Sequence, residues 1–505
     1  MSNDPSKSTD EDVKLLHSMG YAQELARNMK GFQNFAISFS IICILSGGIN
    51  SLGQGIGGVG GASIGIGWII GCAISLVFAL GMAQIASAYP TAGGLYHWSS
   101  ILGGRGWGWL TAWFNLLGLV TVLGAINVGT YNFFIGAFGP ALGWETSVGL
   151  QAACVIGITL VQAIVNHMGI RITSMLTDFS GYLIFVVAIV LTVALLWFAP
   201  SWDFQRLITF KNYSGPAGGD VWPATENMLL LFGLGLLLPI YTITGFDASA
   251  HTAEETRDAA RAVPKGIVNS VLLSSLFGFL MLSAFVLAIP DMDKAAASGW
   301  GVFFVTLDAV LPVSLKQLLY LGIFICQFIC GLATVTSASR MIYAFARDNG
   351  LPASGALKSV HPKFRTPVAA IWTAAIISIA FTLYTPAYTT IVSVTVIFLF
   401  LSYGMPIVAG LFAYGSSWSK MGPWDMGGIF RVVAVLAGIA VALIFYLGVQ
   451  PPNDNALWIT GAFLAMTAVV WFAFERKRFQ GPPVGDEVAR RQAAIASAEK
   501  TLAGS

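Results

Sequence analysis

The chain has 505 residues, 56% of them hydrophobic and 10% charged, with a formal net charge of +2. A soluble domain carries about 25% charged residues, so this is a membrane composition, and length counts helices rather than soluble domains. Near-neutral charge gives no reason to expect a nucleic-acid partner. Five cysteines (Cys43, Cys72, Cys154, Cys326, Cys330) fall in apolar runs without metal-type pairing to His, so neither metal nor cofactor is expected.

Residues 1–30 form a polar tail without the apolar core of a cleavable signal, so the first membrane helix must itself direct insertion. Within this tail, Leu15 to Phe32 reads as a short helix lying along the inner surface. No Asp, Glu, Lys or Arg occurs from Gly31 to Gly104, Gly106 to Trp144, Phe179 to Trp202 or Gly266 to Pro290. The gap from Thr366 to Ser419 holds two crossings at about 20 residues each. Span one runs from Gly31 to Gly58, interrupted at Ser46–Asn50, and span two from Ala62 to Tyr89, followed by a turn at Pro90–Gly94. Span three covers Trp107–Gly139, span four Val148–Asn166 and span five Met175–Phe198. After a polar loop, span six starts near Met228, and span seven covers Gly266–Ile289. Span eight covers Val313–Ala346. Spans nine and ten divide near Tyr384-Thr385-Pro386, and spans eleven and twelve cover Ile429–Val449 and Ala456–Phe474. The tail from residue 476 reads as a loose helix.

Twelve spans put both ends on one side. With the termini inside, the inner segments hold 22 Lys and Arg, and the outer loops only Arg206, Lys211, Lys294 and Lys316. The positive-inside rule therefore places both termini in the cytoplasm of a multi-pass protein in the plasma or inner membrane. Asn212-Tyr213-Ser214 is a glycosylation sequon in an outer loop.

Two spans carry interior signals of a break. Span one has Ser46, Gly47, Gly48, Ile49 and Asn50; span six has Thr244, Gly245, Phe246 and Asp247. From Met228 to Glu254 a straight helix would run about 40 Å against a hydrocarbon core of about 30 Å. Glycine-interrupted helices at corresponding places in two halves point to a transporter site between inverted repeats. An unwound segment frees backbone N–H and C=O groups, tolerated at membrane depth only where they line a cavity or bind something. Freed N–H groups suit a carboxylate; freed carbonyls and a nearby acid suit an ammonium. Together they suit a zwitterion. The run GQGIGG at 53–58 matches a dinucleotide-loop pattern but follows no strand, and reads as helix packing.

Three stretches carry a family resemblance: AQIASAYPTAGGLYHW at 83–98, ITGFDASAHTAEET at 243–256 followed by VPKGI at 263–267, and SRMIYAFARDNGLP at 339–352. They resemble the amino acid–polyamine–organocation permeases, most closely the amino acid/choline branch that includes GABA permeases. The resemblance implies an all-α, twelve-helix fold with a LeuT-like five-plus-five inverted repeat. Repeat one is placed at about 31–198 and repeat two at about 226–415, with two further helices at about 429–474. It also implies substrate contact by the broken segments and a gating role for Phe246. Some proton-coupled members of the superfamily place a lysine in span five. Here span five has none, and Asp178 and Ser180 stand instead. With Thr336 and Ser337 of span eight they are candidates for ion coupling, H+ or Na+. Asp178 reads either as a proton site or, preferably, as a cap on its helix N-terminus.

Asn115, Asn127, Gln151, Gln162 and Gln327 read as interhelical hydrogen-bonding groups; His97, Arg105, Arg340 and Arg347 read as inner-loop or gate groups. An enzyme would need a convergent set of His, Asp, Glu or Cys within the spans, and a channel would need charge rings or a filter loop; neither is visible. No P-loop is present, so uphill transport must use an ion gradient or exchange. The sequence therefore predicts a secondary transporter for a small amino acid or GABA-like zwitterion. Choline, ethanolamine or polyamine transport, or amino-acid exchange, are the alternatives.

Overall fold

A computed structural model of the chain describes residues 5–385, 387–483 and 486–503. Among the described residues the architecture is all-helical, without a β-sheet. Pro386, expected to separate spans nine and ten, lies outside the described residues.

The polar head folds as α1 (Pro5–Ser18). The helix expected over Leu15–Phe32 does not form beyond Ser18, because Gly20 turns the chain at φ +82°. The segment then runs extended: Met29 N–H donates to the Glu255 carbonyl at 2.8 Å, and Arg257 N–H to the Met29 carbonyl at 2.9 Å. Span one becomes α2 (Gly31–Ile42), α3 (Gly47–Asn50) and α4 (Leu52–Val59). Its interruption sits at Cys43–Ser46, upstream of the expected Ser46–Asn50. The physical reason is local: the N–H groups of Ser46 and Gly47 both fold back onto the Cys43 carbonyl, at 2.7 and 3.2 Å. That turn restarts the helix, so the glycines open the second half instead of unwinding. In α4 the GQGIGG glycines allow close packing: a Cβ on Gly53 or Gly57 would lie 3.1 or 3.0 Å from the carbonyls of Gly299 and Gly218.

A π-turn (Ser63–Trp68) leads into α5 (Ile69–Ala88), followed by the expected turn and a short α6 (Leu95–Gly103). Then come α7 (Arg105–Leu142), α8 (Val148–His167) and α9 (Ile170–Phe198). Ser147 Oγ caps α8 by accepting from Leu150 N–H at 3.1 Å. Span six is α10 (Met228–Gly235), α11 (Leu237–Thr242) and, beyond a break, α12 (Ala248–His251). Next are α13 (Ala259–Ala288), α14 (Met292–Ala297), α15 (Val302–Val310), α16 (Val313–Arg347) and α17 (Ser354–Leu357). The chain closes with α18 (Val368–Tyr384), α19 (Tyr388–Ala413), α20 (Ile429–Gly448), α21 (Asp454–Val470), α22 (Arg476–Arg478) and α23 (Asp486–Ala503). The α14–α15 segment has no counterpart in the sequence reading.

Among the described residues ten helices are long and apolar enough to cross a membrane; Met228–Thr242 and α18 are shorter apolar helices. Burial sorts them. The crossings at Gly31–Asn50, Arg105–Leu142 and Tyr388–Ala413 are 83–89% buried, whereas those at Val148–His167, Ile429–Gly448 and Asp454–Arg478 are only 17–33% buried. The first three form the centre, and the last three turn apolar side chains outward, as lipid-facing helices do. Both ends of the chain meet at one end of the bundle: His17 Nε2 lies 2.8 Å from Glu499 Oε1.

Candidate functional site

The two interrupted spans meet through their breaks. A Cβ on Gly47 would lie 2.8 Å from Thr242 Cα, and one on Gly245 would lie 2.2 Å from Ile41 Cγ2. Gly245 also holds φ +86°, a conformation that a Cβ disfavours. Below the breaks α2 is zipped to the 246–256 segment by buried polar groups. Ser38 Oγ donates to the Phe246 carbonyl at 2.9 Å, and Asn34 Nδ2 to the Ser249 carbonyl at 2.8 Å. The carbonyls exposed at the span-one break are taken up by α16: Gln327 Nε2 donates to Leu45 O at 2.9 Å and Cys330 Sγ to Ile41 O at 3.1 Å. Asn50 Nδ2 in turn donates to Gln327 Oε1 at 3.2 Å. The N–H groups of Gly48 and Ile49 donate to no backbone carbonyl.

Asp247 is fully buried and fully engaged. Its Oδ2 accepts from Asn115 Nδ2 at 3.0 Å and lies 3.2 Å from His251 Nε2, while its Oδ1 accepts from the Tyr403 hydroxyl at 2.9 Å. The same hydroxyl accepts the Gly245 N–H at 3.1 Å. Asp247 thus shapes the break from behind, where the sequence suggested an acid beside the break suited to an ammonium. Phe246 is likewise enclosed, 4.8 Å from the Tyr403 ring, and the Thr244 hydroxyl is bonded back to the Tyr241 carbonyl at 2.7 Å. The sequence missed Asn115 and Tyr403 as members of this site, since they come from distant helices. His251 lies one turn on from Asp247, at the i, i+4 spacing that lets two side chains on one helix face meet.

At the end away from the termini a cavity of ≈ 510 Å³ reaches down to Ile49 and Asn50. Phe303, Phe304, Trp300 and Tyr388 supply its aromatic wall, and none of its lining residues carries a charge. The termini-bearing end is sealed. Arg347 makes a bidentate pair with Glu254 at 2.9 and 2.8 Å, and Arg340 one with Glu255 at 3.0 and 2.9 Å. Arg340 and Arg347 form salt bridges, as their position suggested; their partners, 85 and 93 residues away, were not legible. Tyr21 stacks under Arg347 at 3.8 Å and donates to Asp348 Oδ2 at 2.7 Å. Burial pushes the Asp348 carboxyl above its ordinary value, opposed by the Arg347 guanidinium.

The candidate ion-coupling residues do not converge in one polar contact. Asp178 lies inside α9, which begins at Ile170, so it caps no helix start; its Oδ2 accepts from Gln33 Nε2 of α2 at 3.1 Å. Thr336 is tied to Asn166 Oδ1 of α8 at 2.6 Å. The Ser180 and Ser337 hydroxyls are buried without hydrogen-bond partners. Asn127 and Gln162 make the interhelical pair their composition suggested, at 2.9 and 3.0 Å.

A helical bundle with two facing breaks, a cavity on one side and an ion-paired seal on the other, has the form of a membrane carrier. The family model described as amino acid permease matches residues 30–474. The chain belongs to that family, within the amino acid–polyamine–organocation superfamily, and is a multi-pass membrane transporter, not an enzyme. It is 31% identical to amino-acid permease BAT1 of Arabidopsis thaliana, covering 92% of this chain and 95% of the relative. It is 30% identical to the BAT1 homolog of Oryza sativa subsp. japonica, covering 92% and 94%. It is 27% identical to the GABA-specific permease of Saccharomyces cerevisiae, covering 93% and 86%.

Proposed function

We propose that the chain moves a small zwitterionic amino acid, α or γ, across the plasma or inner membrane by alternating access in symport with a proton. In this reading both termini are cytoplasmic and the chain crosses twelve times. Met228–Thr242 and α18 supply the two shortest crossings. Repeats at about 31–198 and 226–415 form a LeuT-like core, with the helices at about 429–474 outside it.

The observation that carries the reading is the meeting of the two breaks, Gly47 on Thr242 and Gly245 on Ile41, at the foot of an uncharged cavity. An uncharged route favours a substrate of zero net charge, since a buried charge without a partner costs several kcal/mol. A carboxylate is served by the N–H groups that open the second half of span one, aided by the helix dipole. A polyamine would need two free acids, and Asp247 is already held by Asn115, Tyr403 and His251. The yeast relative's name supports a γ-amino acid, and the plant relatives' names an amino acid without specifying which.

A second reading is favoured by one feature. Trp300 and Tyr388 meet at 5.9 Å and 88° in the cavity wall, a surface able to hold a quaternary ammonium by cation–π attraction. Competition in proteoliposomes against labelled alanine and labelled 4-aminobutyrate separates the two. Displacement by carboxylate-bearing amino acids and not by choline or spermidine is the expected result; the reverse pattern overturns the zwitterion reading.

A further inference from the structure

We propose that Asp247 and His251 together form the binding site of the coupling proton, an inference that rests on the proton-symport reading above. His251 Nδ1 lies 3.1 Å from the Ala92 carbonyl oxygen, and Nε2 lies 3.2 Å from Asp247 Oδ2. A carbonyl oxygen and an ionised carboxylate both only accept, and a neutral imidazole has a single N–H to offer them. Without a further proton one of the two contacts therefore sets lone pair against lone pair, in a site where both side chains are 0% exposed. Both contacts are hydrogen bonds only with that proton present, as imidazolium with carboxylate or imidazole with carboxylic acid.

The pair is therefore neutral when loaded and carries one net negative charge when empty, the costlier state in a buried site. Asn115 and Tyr403 donate to the carboxylate, so the loaded pair is best written with the proton on His251. Other charges are spoken for. Arg340 and Arg347 of α16 are bound by Glu255 and Glu254, and Arg261 and Lys265 of α13 are exposed. From α2 come the uncharged Asn34 and Ser38. On α6, His97 turns to Tyr21 and Tyr89. Tyr403 of α19 is the remaining titratable neighbour.

The pair is connected in both directions. Through Asp247 and Tyr403 it reaches the Gly245 N–H at the break. Through His251 it reaches Ala92, whose N–H donates to Glu254 Oε1 of the seal at 3.0 Å. Loss of the proton leaves His251 with one N–H for two acceptors, so either its contact with Asp247 at the break or its contact with Ala92 beside the seal is given up. The balance is simple: one proton joins the pair and one leaves it to the termini-bearing side once the seal opens, with no other group changing state.

The test uses full-length protein in proteoliposomes with an entrapped pH-sensitive dye, driven with alanine or 4-aminobutyrate, whichever the wild type accumulates. Wild type moves protons with substrate. In His251→Gln, protons carried per substrate fall to zero and the pH dependence of uptake flattens. Uphill accumulation drops about tenfold, the scale of a coupling free energy between sites, and the decisive readout is protons per substrate, a ratio that a merely slower carrier would not change. A His251→Gln protein that still carries protons at the wild-type ratio overturns the site but leaves proton symport standing. Wild type that moves substrate without protons overturns the symport reading and the site with it. If His251→Gln is not monodisperse, Asp247→Asn takes its place with the same expected loss of proton movement, and retained proton movement is again the overturning result.

Discussion

The hydroxyl of Tyr403 is shared between Asp247 and Gly245: it donates to the carboxylate at 2.9 Å and accepts the glycine N–H at 3.1 Å. One phenol thereby satisfies a backbone donor freed by the span-six break and anchors the acid that follows it. Tyr403→Phe leaves both groups short of a partner in a buried setting, a cost of about 1–3 kcal/mol. The expected outcome is a protein that still reaches the membrane, with a lower melting midpoint and transport reduced about tenfold or more, since 1.4 kcal/mol is a factor of ten. Uptake kinetics and melting of purified Tyr403→Phe check it, and wild-type values for both would show that the shared hydroxyl is dispensable.

The glycines of the two breaks are expected to differ in tolerance. Gly245→Ala combines φ +86° with a Cβ 2.2 Å from Ile41 Cγ2, and Gly47→Ala places its Cβ 2.8 Å from the Thr242 backbone. Both should abolish transport. Gly48→Ala meets nothing closer than 3.8 Å and should retain it, whereas Gly48→Leu, whose longer side chain would press on Leu282, Thr242 and Met281, should not. Uptake normalised to surface expression ranks the four variants; a fully active Gly245→Ala or Gly47→Ala is the result at odds with this packing.

The buried Glu255–Arg340 pair holds the seal. Removing one partner of such a pair costs about 3–5 kcal/mol, because the other charge is stranded, whereas neutralising both is far milder. Arg340→Gln and Glu255→Gln are each expected to destabilise the protein sharply, and the double variant to recover most of the melting midpoint. A double variant as unstable as the worse single one would assign the loss to something other than the stranded charge.

Sidedness follows from the charge distribution. A cysteine placed at Lys363 should react with an impermeant thiol reagent only from the cytoplasm, and one at Lys294 only from outside. Labelling at position 363 in intact cells would contradict cytoplasmic termini.

Much of the architecture was legible because membrane helices announce themselves by length and charge exclusion. The charge-free gaps located the long helices, although α9 and α13 begin before the expected Met175 and Gly266, at Ile170 and Ala259, and glycine marked both interrupted spans. What escaped depends on partners distant in sequence. Asp247 reads as an acid available to a ligand until Asn115 of α7 and Tyr403 of α19 fold onto it. Asp178 reads as a helix cap until α9 starts eight residues earlier, at Ile170. The break of span one was placed at its glycines, yet a turn onto the Cys43 carbonyl lets those glycines restart the helix. The seal pairs were invisible for the same reason, since Glu254 and Glu255 find arginines on α16 rather than the arginines nearest in the chain.

The central claim, that substrate sits between the two breaks, is tested most directly by a cryo-EM structure of the protein with a transported amino acid at saturating concentration. The account predicts density flanked by Ser46–Gly48 on one side and Thr242–Phe246 on the other, at the foot of the cavity that ends at Asn50. Density elsewhere in the bundle, with both breaks unoccupied, would contradict it.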